Sequence, residues 1–192
     1  MHRARQPADS ELPDALVTDE ALMLDVRRGS RAAFEVLFDR YRDAVWRFFR
    51  RRVDDGARAE ELVQDVFVAI LQNAVRYEPR AAFRSYLFGI AFNALKADRR
   101  KDGRRTEPLI DEPAATQADP DEAIWVRRAL ATLEPHHREV LMLREYEQLS
   151  YQEIAELLRI PVNTVRSRLF RARMDLKHAL SNVPVTGSEG PR

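Results

Sequence analysis

The sequence predicts an all-α protein of two small helical domains, an N-terminal bundle and a C-terminal helix-turn-helix, joined by a flexible acidic linker. Apolar residues recur at helical spacing along most of the chain. Only six glycines occur in 192 residues, and no run shows the alternation or Asn-Gly turns of β-hairpins. One central stretch loses all periodicity while gathering prolines and acids. With 45% hydrophobic and 33% charged residues, the composition suits one ordinary globular domain or two small ones.

Residues 1–20 carry no apolar periodicity and are expected to form a disordered tail. They contain neither an apolar h-region nor a cleavage-like site. No later stretch approaches the roughly 18 apolar residues of a membrane span, so a cytoplasmic location without membrane insertion is expected. The absence of cysteine excludes disulfides and cysteine-ligated zinc.

Residues 21–105 read as a bundle of three or four helices. Phe34, Leu37, Phe38, Tyr41, Val45, Phe48 and Phe49 fall at i, i+3, i+4, i+7, i+11, i+14 and i+15, one helical stripe. Leu62, Val63, Val66, Phe67, Ile70 and Leu71 make a second stripe, and Tyr86, Leu87, Ile90, Ala94 and Leu95 a third. From Thr106 to Glu122 there are six acidic residues, three prolines and no basic residue. That segment has too little apolar surface to fold, and residues 106–120 are assigned to the linker. Helical pattern resumes over residues 121–182, with Pro135 placed to open a helix at its first turn. Residues 183–192 are expected to be a second disordered tail.

A net charge of +1 conceals strong segregation. Between Asp9 and Asp25 there are six acids and no base. From Arg76 to Arg105 nine Lys/Arg face three acids, and from Asn163 to His178 five face one. Two basic blocks separated by an acidic spacer imply two surfaces meeting a polyanion.

The most specific local pattern is LSYQEIAELLRIPVNTVRSRLFRAR. Ser150 followed by Glu153 is a capping box. Ile154, Ala155, Leu157 and Leu158 give a short helix, Arg159 to Val162 break it, and Asn163-Thr164 restart one that carries Val165, Leu169 and Met174 on its buried side. Ala155 is small where two crossing helices must approach. Short helix, tight turn and longer basic helix form the signature of a DNA-binding helix-turn-helix. Arg166, Ser167, Phe170 and Arg171 share one face near the start of the second helix, where base edges are read. Arg168 and Arg173 lie to the sides, suited to phosphates.

The 52 residues from Ala129 to Leu180 resemble the C-terminal domain of extracytoplasmic-function sigma factors. That family's wording runs close to L-P-x-x-x-R-E-V-L-x-L-R…G-L-S-Y-x-E-I-A-x-x-L-G-I-P-x-G-T-V-x-S-R-L-x-R-A-R. Arg159 and Asn163 stand where it commonly has glycine. The resemblance implies an alternative sigma factor whose C-terminal domain reads the −35 promoter element and docks on the β flap of core RNA polymerase. The first half extends it. AEELVQDVFVAIL resembles the helix written D-A-E-D-L-V-Q-E-V-F-L, which implies that Glu61, Gln64 and Asp65, with Leu62 among them, contact the β′ clamp helices. RSYLFGIAFNALKADRRK resembles W-L-x-x-I-A-x-N, the segment that engages the −10 element and helps separate its strands.

Tyr86, Phe83 and Asn93, with Arg84, Lys96, Arg99 and Arg100, are the residue types such opening needs, aromatic platforms for unstacked bases beside cations for phosphates. Tyr86 stands where the family has Trp, and both Tyr86 and Phe83 are equally compatible with the core. Residues 78–82, just before that helix, are expected to select −10 bases. The family also implies an anti-sigma factor as partner. Nothing points to catalysis: there is no P-loop, Rossmann glycine pattern, HExxH or GxSxG, and His136-His137 are too closely spaced to chelate well. No cofactor, metal or small-molecule substrate is expected. An autonomous helix-turn-helix regulator is the competing reading.

Overall fold

The computed structural model describes residues 17–101 and 120–181, every element of them helical. The first half comprises α1 (Asp19–Arg27), α2 (Arg31–Arg50), α3 (Gly56–Asn73), a 3₁₀ turn (Ala74–Arg76) and α4 (Phe83–Lys101). The second comprises α5 (Pro120–Ala131), α6 (Pro135–Glu145), α7 (Tyr151–Leu158) and α8 (Val162–Ser181). The expected linker and the two expected tails lie outside the described residues, with one correction. The chain is already helical at Asp19, inside the stretch expected to be disordered, because Thr18 caps α1 by accepting from the Ala21 amide at 3.2 Å. Asp19 and Glu20 in the first turn suit the helix dipole.

Side-chain caps also start α2 (Ser30) and α3 (Asp55). Gly29, at φ +95, makes the turn between α1 and α2. The stripe of α2 buries Leu37, Tyr41, Val45, Phe48 and Phe49, while Phe34 and Phe38 pack edge-on against Phe67 of α3. In α3 the buried set is Ala59, Leu62, Val63, Val66, Phe67 and Ile70; Leu71, expected in this stripe, is 47% exposed. The buried face of α4 is rotated from the expected one and consists of Phe83, Leu87, Phe88, Ala91, Phe92 and Leu95, with Tyr86, Ile90 and Ala94 half-buried. The cause is that α4 packs against α1, α2, α3 and also α7, so its apolar face is broad.

In the second half α5, α6 and α7 all pack on α8. Pro135 occupies the first turn of α6, as expected. Buried Arg138 donates to the carbonyls of Ala131 (2.7 Å) and Leu133 (2.9 Å), closing the end of α5. Along α8 the buried residues are Val165, Leu169 and Ala172, at i, i+4 and i+7. Met174, expected among them, falls about 200° round the helix from Ala172 and is 50% exposed.

Candidate nucleic-acid interface

The capping box that opens α7 is formed: the Glu153 amide donates to Ser150 Oγ (3.2 Å) and the Ser150 amide to Glu153 Oε2 (2.7 Å). At the other end of α7, Arg159 adopts the left-handed conformation (φ 55, ψ 48), so the turn keeps a glycine-type backbone without glycine. Gln148, just before α7, does the same at φ 57. The glycine preceding L-S-Y in the family wording was the sequence signal for it, overlooked beside Arg159. Asn163 has no positive φ and continues α8 in ordinary helical geometry.

With Val165, Leu169 and Ala172 turned inward, Arg166, Ser167, Phe170 and Arg171 emerge on the outer face of α8, and Phe170 is 67% exposed. Arg168 is half-buried at its flank. Arg173 pairs with Glu145 of α6 at 2.8 Å, which raises its pKa and anchors α8 to its own scaffold. His137 lies between Glu134 (3.8 Å) and Asp175 (3.6 Å), while His136 is exposed.

The −10 candidates separate into three groups. Phe83 is fully buried, at the centre of an aromatic cluster with Tyr41, Tyr77 and Tyr86, and its amide donates to Glu20 of α1 at 2.7 Å. Its packing removes it from any stacking surface in this conformation. Tyr86, Asn93, Lys96 and Arg100 follow one another along a single outward strip of α4, Tyr86 half-buried and the other three exposed. Arg84 and Arg99 lie on a different face, turned toward the second half of the molecule. Burial pushes the Tyr77 hydroxyl up to about 12.

On α3, Glu61, Gln64 and Asp65 are exposed on one face. Glu61 is ion-paired with Arg58, which also grips the buried carboxylate of Asp98 on α4 (Nε–Oδ1 2.8 Å). Leu62, grouped with the three as a polymerase contact, is only 2% exposed and belongs to the core.

Sequence reasoning missed the junction between the halves. Arg51 donates to both carboxylate oxygens of Glu147 at 3.1 Å and stacks over Tyr146. Arg52, with a fully buried side chain, reaches Glu139 (3.0 Å) and Glu147 (3.3 Å) and lies over Phe48. Arg84 donates to the backbone carbonyls of Glu147 (2.7 Å) and Tyr146 (3.4 Å), and Ser85 donates to Glu153. Desolvation lowers the pKa of both Arg51 and Arg99, with Glu147 and Glu139 respectively opposing it. For Glu153, burial acts upward, but hydrogen bonds from Ser85 and Ser150 outweigh it and bring the carboxyl below its ordinary value.

The family profile of Sigma-70 region 2 matches residues 37–105, and that of Sigma-70, region 4, matches residues 123–176. RNA polymerase sigma factor CarQ of Myxococcus xanthus is 34% identical over 164 residues, covering 82% of this chain and 94% of CarQ. The ECF RNA polymerase sigma-E factor of Escherichia coli (strain K12) is 31% identical over 177 residues, covering 82% and 91%. Among solved structures, CnrH in complex with the cytosolic domain of CnrY superposes with a TM-score of 0.62 at 28% identity, covering 85% of this chain and 97% of that one. The chain therefore belongs to the extracytoplasmic-function family of RNA polymerase sigma factors, and its function is that of an alternative sigma factor directing promoter recognition.

Proposed function

We propose that three exposed faces divide the work of this sigma factor. The outer face of α8 enters the major groove of the −35 element, with Arg166, Ser167, Phe170 and Arg171 toward base edges and Arg168 toward a phosphate; Arg173 reaches a phosphate once it leaves Glu145. The strip Tyr86, Asn93, Lys96 and Arg100 meets the −10 element, residues 78–82 select its bases, and Arg84 and Arg99 add phosphate contacts once the second half has moved. Stacking on Tyr86 and pairing with these cations offset part of the cost of opening the duplex. Glu61, Gln64 and Asp65 dock on the β′ clamp helices of core RNA polymerase, and the second half docks on the β flap. Residues 21–105 and 121–182 act as the two functional domains, with 106–120 between them.

The observation that carries this reading is the outer face of α8: two arginines, a serine and a two-thirds-exposed phenylalanine on a helix whose other side is locked into a capped helix-turn-helix. The protein works in the cytoplasm, without a catalytic site or cofactor of its own, and is restrained by an anti-sigma factor. CnrH, solved in complex with the cytosolic domain of CnrY, supports a protein partner for this chain. Among the described residues no helix is long and apolar enough to cross a membrane.

Reconstitution tests the reading. Mixed with core RNA polymerase, the protein should select promoters with paired −35 and −10 motifs from a randomised library and yield run-off transcripts from them. A protein that footprints duplex DNA alone and leaves the transcripts of core enzyme unchanged would instead be an autonomous helix-turn-helix regulator.

A further inference from the structure

The first turn of α3 carries a cation where the helix dipole favours an acid. Arg58 is the third residue of that helix, and the pattern D-A-E-D-L-V-Q-E-V-F-L, which the helix resembles, has aspartate in its place. Two carboxylates hold it there. Its Nε (2.8 Å) and Nη2 both donate to Asp98 Oδ1 on α4, and its Nη1 donates to Glu61, one turn on. The two acids differ in exposure. The Asp98 side chain is 10% exposed and fixes the guanidinium from behind, whereas that of Glu61 is 61% exposed and stands on the face assigned to polymerase. Asp65, on the same face, forms no ion pair among the described residues. Of these two acids, Glu61 alone is masked by a cation of its own chain.

We propose that Arg58 sets the affinity of this chain for core RNA polymerase: anchored by Asp98, it partly neutralises Glu61 and keeps the docking face weaker than its acids alone would make it. The inference rests on the docking role proposed for Glu61. A face carrying Glu61 and Asp65 calls for a cationic partner surface, and a guanidinium in contact with one of the acids repels that surface and competes for the same oxygen. The contact is partly exposed, so its influence is modest and falls as salt screens it. Asp98 acts in the opposite sense, because it offsets the charge of Arg58 from the buried side. A bridge that merely held α3 against α4 would behave differently, since breaking it at either end would loosen the same two helices.

The test uses the full chain, labelled with a fluorophore at its amino terminus, titrated with core RNA polymerase and read by anisotropy. At about 50 mM salt Arg58→Gln should tighten binding by about threefold or more, and the gain should vanish by about 300 mM. Asp98→Asn should weaken binding under the same conditions. Arg58→Gln/Asp98→Asn leaves no unpaired buried carboxylate, and should retain a gain where loss of Arg58 alone lowers thermal stability. Adding Glu61→Gln should abolish the gain in both backgrounds. Unchanged or weaker binding by Arg58→Gln and by the double variant would overturn the proposal. So would a gain that survives Glu61→Gln, or an Asp98→Asn effect in the same direction as Arg58→Gln. Glu61→Gln in the wild-type background separates this inference from the one beneath it. If that change weakens binding while the Arg58 variants fail to tighten it, only the affinity-setting role falls. If it leaves binding unchanged, the docking role of Glu61 falls and the role of Arg58 with it.

Discussion

Arg171 stands on the outer face of α8 beside Phe170, where a guanidinium can meet a guanine edge bidentately. Arg171→Ala should therefore lower −35-dependent run-off transcription by the equivalent of about 1–3 kcal/mol. An equal loss on promoters with a mutated −35 element would make it a phosphate contact. Arg159 tells a different story, since nothing but the turn explains its backbone. A left-handed L-residue costs about 1–2 kcal/mol, part of which glycine gives back through its freer unfolded state. Arg159→Gly should stabilise the folded protein by about 0.5–1 kcal/mol, seen as a raised urea midpoint at constant m value. Gln148→Gly should act likewise. The two positions bracket α7, eight residues and so about 12 Å long, and their effects should nearly add.

At the scale of the helix, α3 shows what periodicity can and cannot reveal. Glu61 and Leu62 are neighbours in sequence with opposite fates, one exposed and one 2% exposed. Glu61→Arg should weaken coelution with core enzyme while leaving the thermal midpoint within a degree or two. Leu62→Ala should destabilise by roughly 2–5 kcal/mol through the cavity it leaves. A large stability loss for the first, or none for the second, would reverse their roles. Which residues share a helix face was legible because i, i+3, i+4 spacing is a local property, and the helix-turn-helix was legible because cap, break and basic face fall within twenty-five residues. On α4 the spacing offers two overlapping apolar stripes, since Phe83, Leu87, Phe88, Ala91, Phe92 and Leu95 also fall at i, i+4, i+5, i+8, i+9 and i+12, and only its neighbours α1, α2, α3 and α7 decide which one is buried. Arg84 and Arg99 read as free cations for the same reason. The Glu147 carbonyl that Arg84 meets and the Glu139 carboxylate whose charge acts on Arg99 lie 63 and 40 residues on, and no motif links charges across such distances. Tyr86 and Phe83 illustrate the limit for aromatics: both types suit either a stacking platform or a core, and only the contacts with Tyr41 and Tyr77 place Phe83 inside.

For the molecule as a whole, distance is the governing quantity. A compact chain of this length is on the order of 40 Å across, whereas elements centred near −35 and −10 lie roughly 85 Å apart along B-DNA at 3.4 Å per base pair. The arrangement in which Glu147 is buried against Arg51 and Arg52 therefore cannot span a promoter, and the halves must part before both elements are read. Residues 102–119 join them, a contour of at most about 65 Å. Inserting six Gly/Ser residues there should change holoenzyme preference for promoter spacing little, because six added residues raise the entropy cost of loop closure by only a few tenths of a kcal/mol. A shift of the optimal spacing by two base pairs or more would show that the chain itself gauges the gap. The junction thus has a consequence for measurement. A protein whose halves close on each other through Arg51, Arg52 and Glu147 carries a tether and no ruler, so the interval between its two binding sites must be set by the polymerase on which they are mounted.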